Sequence, residues 1–402
     1  MTRLPPAEWQ DDPRLAALVD ALSADGGAVR YVGGAVRDTI AGLPVTDIDL
    51  ATPLLPQEVA RRLRDAGIKA VPTGIAHGTI TAVVDGRPFE VTTLRRDVAT
   101  DGRRATVRFS TDWREDAARR DFTINALYAD PATRRVTDFF GGLADLAEGR
   151  VRFIGDADRR IDEDHLRILR FFRFHARFGQ GAPDAEALAA VTAKATTMRS
   201  LSQERLAGEL LRLLALPDPR GTVLLMIERG IFAAIIPEFD TASHDRLARL
   251  IASERACDLA IDPVRRLIAM APVDAAKAVA LATRLKVSTA IRRRFRCART
   301  EPLDRTADPR HLAYAIGIEG ARDRWLLAAD PDDAARALDR LEGWTPPQFP
   351  IKGGMLVAQG VPVGPEVARL LREIEEQWVA DDFPDATRAR AIMAQRLSER
   401  SQ

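Results

Sequence analysis

The chain has 402 residues, 46% hydrophobic and 29% charged, with 59 basic and 58 acidic side chains and a formal net charge of +1. That length exceeds one ordinary core and implies two to four domains, and the near-neutral balance excludes a highly basic coat protein without excluding local basic patches. No run of about 18 apolar residues is present, so no membrane span is expected; the N-terminus lacks a secretion signal's apolar core; and two distant cysteines, Cys257 and Cys297, make neither a disulfide framework nor a zinc site, which suits a reducing cytoplasm.

In chain order, residues 1–28 read as a short helical lead-in, with Leu15, Leu18, Val19 and Leu22 at helical spacing. A strand at 28–32 enters the Gly33-Gly34 turn, a helix follows to a glycine stop at Gly42, and a second strand is expected at 46–51. Pro56 opens a helix that Gly67 ends. Strands are expected at 68–71, 79–84 and 89–93, with Asp85-Gly86 as the hairpin turn between the last two. Residues 97–113 are polar and arginine-rich and read as a mobile loop with a short strand at 105–109. A strand pair near 126–128 and 136–139 precedes the Gly141-Gly142 turn.

Beyond about residue 150 strand signals almost stop. A strong helix is expected over 162–178, then helices at 184–195, 202–215, 219–229, 245–259, 263–270, 273–285, 288–299, 308–317, 319–340 and 364–379. The layout is an α/β head of about 150 residues with an all-helical remainder, without regular solenoid repeats.

The stretch 30–52 carries the first chemistry. Asp47 and Asp49, two residues apart in the expected strand, would share a face, and carboxylates that close repel unless a cation joins them. Mg²⁺ commonly takes one or two carboxylates plus substrate phosphates. A solvated strand end is the plainer reading of D-x-D. Gly33 and Gly34 let backbone approach a phosphate, and Arg37 can fork onto its oxygens; a tight turn with a surface arginine is the alternative. The pattern is neither a dinucleotide fingerprint nor a Walker A loop. Glu90, in FEVTTLR, is a third candidate carboxylate or an ordinary outward glutamate. Arg119, Arg120, Asp121 and Asn125 in RRDFTINAL suit triphosphate and ribose contacts, or a helix start capped by Asp121. In EDHLRILRFFRF, steps of three place Asp164, Arg167, Arg170 and Arg173 near one helical face. A carboxylate beside a guanidinium matches the edge of a base; an ion-pair ladder explains the same spacing. Arginine far outnumbers lysine, which suits phosphate recognition but more simply reflects a GC-rich genome.

GGAVRD, DIDLAT, FEVTTLR, RRDFTINAL, DFFGGLADL and EDHLRILRFFRF occur in the order seen in class II tRNA nucleotidyltransferases, and over about residues 28–240 the chain resembles that family. The family belongs to the polymerase β-like nucleotidyltransferases, which include bacterial poly(A) polymerases. The resemblance implies a mixed-sheet head (1–150), a helical neck (151–260), and a helical body and tail (261–402) that grip the tRNA elbow. It implies addition of C, C and A to a tRNA 3′ end from CTP and ATP without a nucleic-acid template. Asp47 and Asp49 would hold two Mg²⁺ ions with Glu90 as the third carboxylate. Gly34, Arg37 and Arg120 would contact the nucleotide; Asp164 and Arg167 would read its base, assisted by Arg170 and Arg173. The alternatives are a poly(A) polymerase and a non-catalytic RNA-binding protein of the same fold. The apolar-GRRF stretch of the poly(A) enzymes is absent, and loop 97–113 matches the element implicated in switching from C to A. The basic cluster IRRRFR at 291–296 suits phosphate contact or a solvated helix face equally.

Overall fold

The computed structural model describes residues 2–24, 28–100, 105–299 and 303–400, with side-chain placement left aside over 97–106. The chain divides into two compact units, Met1–Asp240 and Thr241–Gln402.

The first unit begins with α1 (Pro13–Ser23), capped by Asp12 and burying Leu15, Leu18 and Leu22. Next come β1 (Arg30–Val32), α2 (Gly34–Ile40), β2 (Asp49–Thr52), α3 (Pro56–Asp65), β3 (Lys69–Gly74), β4 (Thr79–Val84) and β5 (Arg87–Thr93). Asp85 and Gly86 both take positive φ, 47° and 79°, as a two-residue primed hairpin turn requires. The expected second strand starts late: Asp47 precedes β2 rather than lying within it.

Residues 97–113 differ from the expected loop. β6 (Arg95–Thr100) and β7 (Ala105–Phe109) pair antiparallel as a separate ribbon, and α4 (Trp113–Ala118) follows. Residues 101–104, part of that loop reading, lie outside the described residues. The alternation of ATVRF marks β7; the rest was obscured because a two-stranded ribbon needs no continuous apolar face.

β8 (Leu127–Ala129) and β9 (Val136–Asp138) complete a sheet of order β3-β4-β5-β2-β1-β8-β9. β2 and β5 run parallel and the other neighbouring pairs antiparallel. Alternation sorts its two faces. Tyr31, Leu50, Val91 and Leu127 pack with α1 and α3 residues into the larger core. Val32, Ala51 and Tyr128 face the other way, into a smaller cluster with Ala117 and Trp113. The smaller cluster leaves part of its face free, and there the polar residues of β2 and β5 emerge.

At DFFGGLADL, the Asp138 carboxylate accepts from the N–H groups of Phe140, Gly141, Gly142 and Leu143. A Cβ on Gly142 would lie 2.2 Å from the Thr123 carbonyl oxygen, so that approach requires glycine. α5 (Gly142–Ala147) starts there.

The helix expected over 162–178 is two helices, α6 (Ala157–Glu163) and α7 (Arg167–Phe178). Asp164 ends α6 in an extended conformation (φ −157°, ψ 106°), and its Oδ1 accepts from Leu166 N–H. A short polar side chain that bonds nearby backbone competes with the helix, and here it wins. α8 (Ala185–Ala193), α9 (Gln203–Leu214), α10 (Arg220–Glu228) and α11 (Ile231–Ile235) close the unit.

The second unit is helical: α12 (Thr241–Ala256), α13 (Pro263–Met270), α14 (Ala275–Arg284), α15 (Thr289–Arg299), α16 (Pro309–Ile316), α17 (Ile318–Ala328), α18 (Pro331–Leu341), α19 (Gly353–Ala358), α20 (Pro365–Ala380) and α21 (Ala386–Arg400). The single helix expected over 319–340 breaks at Pro331, which opens α18 behind the Asp330 cap. α11, α19 and α21 were not expected from the sequence.

Candidate active site

β1 delivers the chain to Gly33, whose φ of 67° and ψ of −118° suit only glycine. Its N–H donates to the Leu127 carbonyl at 3.1 Å. A Cβ here would also meet Arg120 Nη1 at 3.4 Å, so the turn sits directly against that guanidinium. Gly34 then opens α2.

Beside the turn, β2 pairs with both neighbours at Asp49: with Val32 antiparallel and with Glu90 in parallel register. Asp49 and Glu90 therefore emerge together on the free face. Asp47, exposed just before the strand, joins them in lining a cleft of about 440 Å³ with Thr81, Arg87 and Phe89. The loop before β2, rather than strand periodicity, places Asp47 there. Although Asp49 reaches solvent, desolvation by the surrounding protein, then the Glu90 charge, push its carboxyl up to about 6, against the pull of Arg120.

These all-oxygen donors fit Mg²⁺, and a cation would offset both the desolvation and the Glu90 charge that raise Asp49. Among the described residues, the group whose ligand atoms lie within 4.8 Å of one another is instead Asp308, His311 and Asp382. That group is already neutralised: Arg310 donates to Asp308 and to Asp382, and Arg340 to Asp308.

Arg120 is fixed from behind. It donates to Asp116 Oδ2 (3.2 Å) and to the Tyr128 hydroxyl (3.2 Å), and that hydroxyl donates to Asp116 at 2.7 Å. Arg119 and the Arg95 backbone N–H also donate to Asp116. Burial opposes ionisation of Asp116, but Arg120 and Arg119 outweigh it and hold the carboxyl at about 2. Sequence reasoning missed Asp116 and Tyr128. The i,i+3 and i,i+4 spacing of Asp116 to Arg119 and Arg120 was the available signal; Tyr128 gave none.

Arg37 is buried rather than presented to the cleft. Its Nε donates to Asp38 at 2.7 Å, its Nη1 donates to Asn125, and its guanidinium lies 4.5 Å from the Phe178 ring centre. Burial pulls its pKa down against the charge of Asp38. Asn125 in turn donates to Asp121 at 2.9 Å. Asp121 therefore belongs to this network instead of capping a helix.

Asp164, Arg167, Arg170 and Arg173 do not form one helical ladder. Asp164 lies outside α7 and accepts from Arg205 of α9 at 2.7 Å. Arg167 donates to Glu163 at 2.7 Å, Arg170 to Asp121 at 2.7 Å and Arg173 to Glu209 at 2.7 Å. Arg205 was another residue missed, because no local spacing links positions 41 residues apart.

The chain matches the poly A polymerase head domain over residues 29–152, and the probable RNA and SrmB- binding site of polymerase A over 182–243. It is 33% identical over 384 residues to mouse (Mus musculus) mitochondrial CCA tRNA nucleotidyltransferase 1, covering 90% of this chain and 86% of that protein. The chain belongs to the CCA tRNA nucleotidyltransferases. The CCA-adding enzyme of Latilactobacillus sakei is 28% identical over 391 residues, covering 92% of this chain and 95% of its own. The Bacillus stearothermophilus CCA-adding enzyme in complex with CTP superposes with a TM-score of 0.79 at 25% identity, covering 97% of this chain and 98% of that one. A Thermotoga maritima CCA-adding enzyme complexed with tRNA shares the fold, with a TM-score of 0.67 at 18% identity over 99% and 100% of the two chains. As a CCA tRNA nucleotidyltransferase the protein is an enzyme, with the mixed-sheet head and helical remainder of that fold. Among the described residues no helix is long and apolar enough to cross a membrane.

Proposed function

We propose that this CCA tRNA nucleotidyltransferase restores the C, C and A of a tRNA 3′ end from CTP and ATP. The observation that carries the reading is Asp49 and Glu90 emerging in register beside a glycine turn braced by Arg120. The tRNA 3′-hydroxyl attacks the α-phosphate in line and pyrophosphate leaves, with no covalent enzyme intermediate. Asp47 and Asp49, with Glu90 beside them, would hold two Mg²⁺ ions. Bound there, they supply Lewis-acid stabilisation of the attacking and leaving oxygens.

The protein's own groups do the positioning. The Gly33-Gly34 turn lets the triphosphate approach backbone, and Arg120 offers it a fixed cation. Arg37 acts from within, bracing Asn125 and through it Asp121. Asp164 and Arg167 read the base, with Arg170 and Arg173 assisting. Each is engaged inside the protein, so a base would be read by the donors and acceptors left over or by exchange of a partner. We assign residues 1–150 as catalytic head, 151–260 as nucleotide-selecting neck and 261–402 as tRNA-binding body and tail, in a cytoplasmic enzyme.

Purified protein given Mg²⁺ and tRNA lacking its CCA end tests the reading. CTP alone should add two residues, and CTP with ATP should add three. Long A tails from ATP alone would instead identify a poly(A) polymerase, and absence of pyrophosphate release a non-catalytic RNA-binding protein.

A further inference from the structure

The sheet face that carries the cleft also carries a second cavity of about 700 Å³, walled in part by Trp113 of α4. Its floor is a row crossing the strands. Arg30 of β1 pairs with Ala51 on one side. Beyond β8, Asp130 N–H donates to the Arg135 carbonyl, and Arg135 bridges to Arg3 of the N-terminal segment. Arg3, Arg30 and Arg135 all line the cavity, and Trp113 walls it with its ring 4.1 Å below the Arg30 guanidinium.

This row is electrostatically unusual. Like charges placed directly opposite on paired strands are destabilising, yet Arg3 and Arg135 face each other. Most arginines near the cleft are bound to a carboxylate. Among the described residues, Arg3, Arg30 and Arg135 make no side-chain hydrogen bond or ion pair. The carboxylates in the cavity are committed to local turns: Asp112 caps α4 through Arg114 N–H, and Asp130 accepts from the Thr133 N–H and hydroxyl. Burial lowers the Arg30 pKa and Arg135 lowers it further, while Asp130 raises it. An anion would stabilise all three cations.

The dimensions indicate which anion. Arg30, Asp130, Arg135 and Arg3 occupy successive strand positions, so the outer arginines stand about 14 Å apart at ~4.8 Å per strand. A single phosphate spans far less than that, whereas a strand carrying successive phosphates spans it. We propose that Arg3, Arg30 and Arg135 form a docking row for the phosphodiester backbone of RNA, on the face of the head that also carries Asp49. The row rests on the proposed tRNA substrate and adds a contact outside the reaction centre. Arg3 and Arg135, both exposed, supply the sequence-independent attraction; Arg30, braced on Trp113, supplies a fixed cation.

The test compares wild type with the double variant Arg3→Ala/Arg135→Ala, whose side chains lie outside the core. Readouts are KM and kcat for tRNA lacking its CCA end, nucleotide KM, and tRNA affinity from 50 to 200 mM salt. The row predicts a rise in tRNA KM of about fivefold or more, little change in kcat, and a salt slope shallower by about 1 to 2, as losing two phosphate contacts requires. Unchanged tRNA affinity and salt slope would overturn the row. A change in nucleotide KM alone would also overturn it, assigning the cavity to free nucleotide. A wild-type protein that neither binds nor extends tRNA would overturn the substrate reading itself, so the two failures are distinct.

Discussion

The carboxylate cleft and the arginine set around α7 show opposite electrostatic designs. In the cleft, Asp47, Asp49 and Glu90 reach solvent, and desolvation, then the Glu90 charge, raise the Asp49 pKa to about 6. Around α7, opposite charges close on each other: Arg205 on Asp164, Arg167 on Glu163, Arg170 on Asp121 and Arg173 on Glu209. Among the described residues the cleft's three carboxylates make no ion pair. The arginine set is instead held in internal ion pairs. The contrast suits the proposed division of labour, with transfer at the first region and selection at the second.

The largest effect should come from removing a cleft carboxylate. Asp47→Ala or Asp49→Ala should cut nucleotide transfer by roughly a thousandfold or more, the scale of losing several kcal/mol of transition-state stabilisation. Circular dichroism should remain unchanged, and robust activity in either variant would remove the cleft from the chemistry.

Asp116→Ala sharpens the comparison differently, because it strips a buried anion from Arg119, Arg120 and Tyr128. Breaking such a buried pair should cost about 3 kcal/mol in denaturant unfolding. Asp116→Asn, which keeps the shape, should mainly raise nucleotide KM. An unchanged unfolding midpoint in the alanine variant would show that Asp116 does not brace Arg120.

Arg205→Ala should release Asp164 and change the CTP-to-ATP incorporation ratio by about tenfold, the worth of one charge-assisted hydrogen bond. Competition between the two nucleotides reads this directly; an unaltered ratio would detach Asp164 from selection.

The smallest effect is pH-dependent. A folded pKa raised above the unfolded carboxylate value means that the native state binds the proton more tightly. Asp49 therefore destabilises the fold progressively as pH rises through roughly 4 to 6. Asp49→Asn should raise Tm at pH 7.5 and leave it nearly unchanged at pH 4. A lower Tm at pH 7.5 would contradict desolvation and the Glu90 charge as the origin of the shift.

Local signals made much of this legible. Asp85-Gly86 announced its hairpin, and Gly33 marked a backbone conformation that only glycine takes readily. The order of motifs placed the carboxylates before any contact was visible. What escaped depended on long-range or competing interactions. Asp164 lies in a sequence of strong helical period, yet its side chain ends α6. Arg205 meets Asp164 only when α9 packs back, and Asp116 reads as one acid in a polar run until Tyr128 closes over it. Arg37 looked like a cleft residue, but its burial against Phe178 follows from the placement of α7.

The division of labour is tested most directly by the product sequence made by Arg167→Ala on tRNA lacking its CCA end, with CTP and ATP at equal concentration. The account predicts that transfer continues while C and A are incorporated with blurred choice. Faithful CCA synthesis by this variant would contradict it.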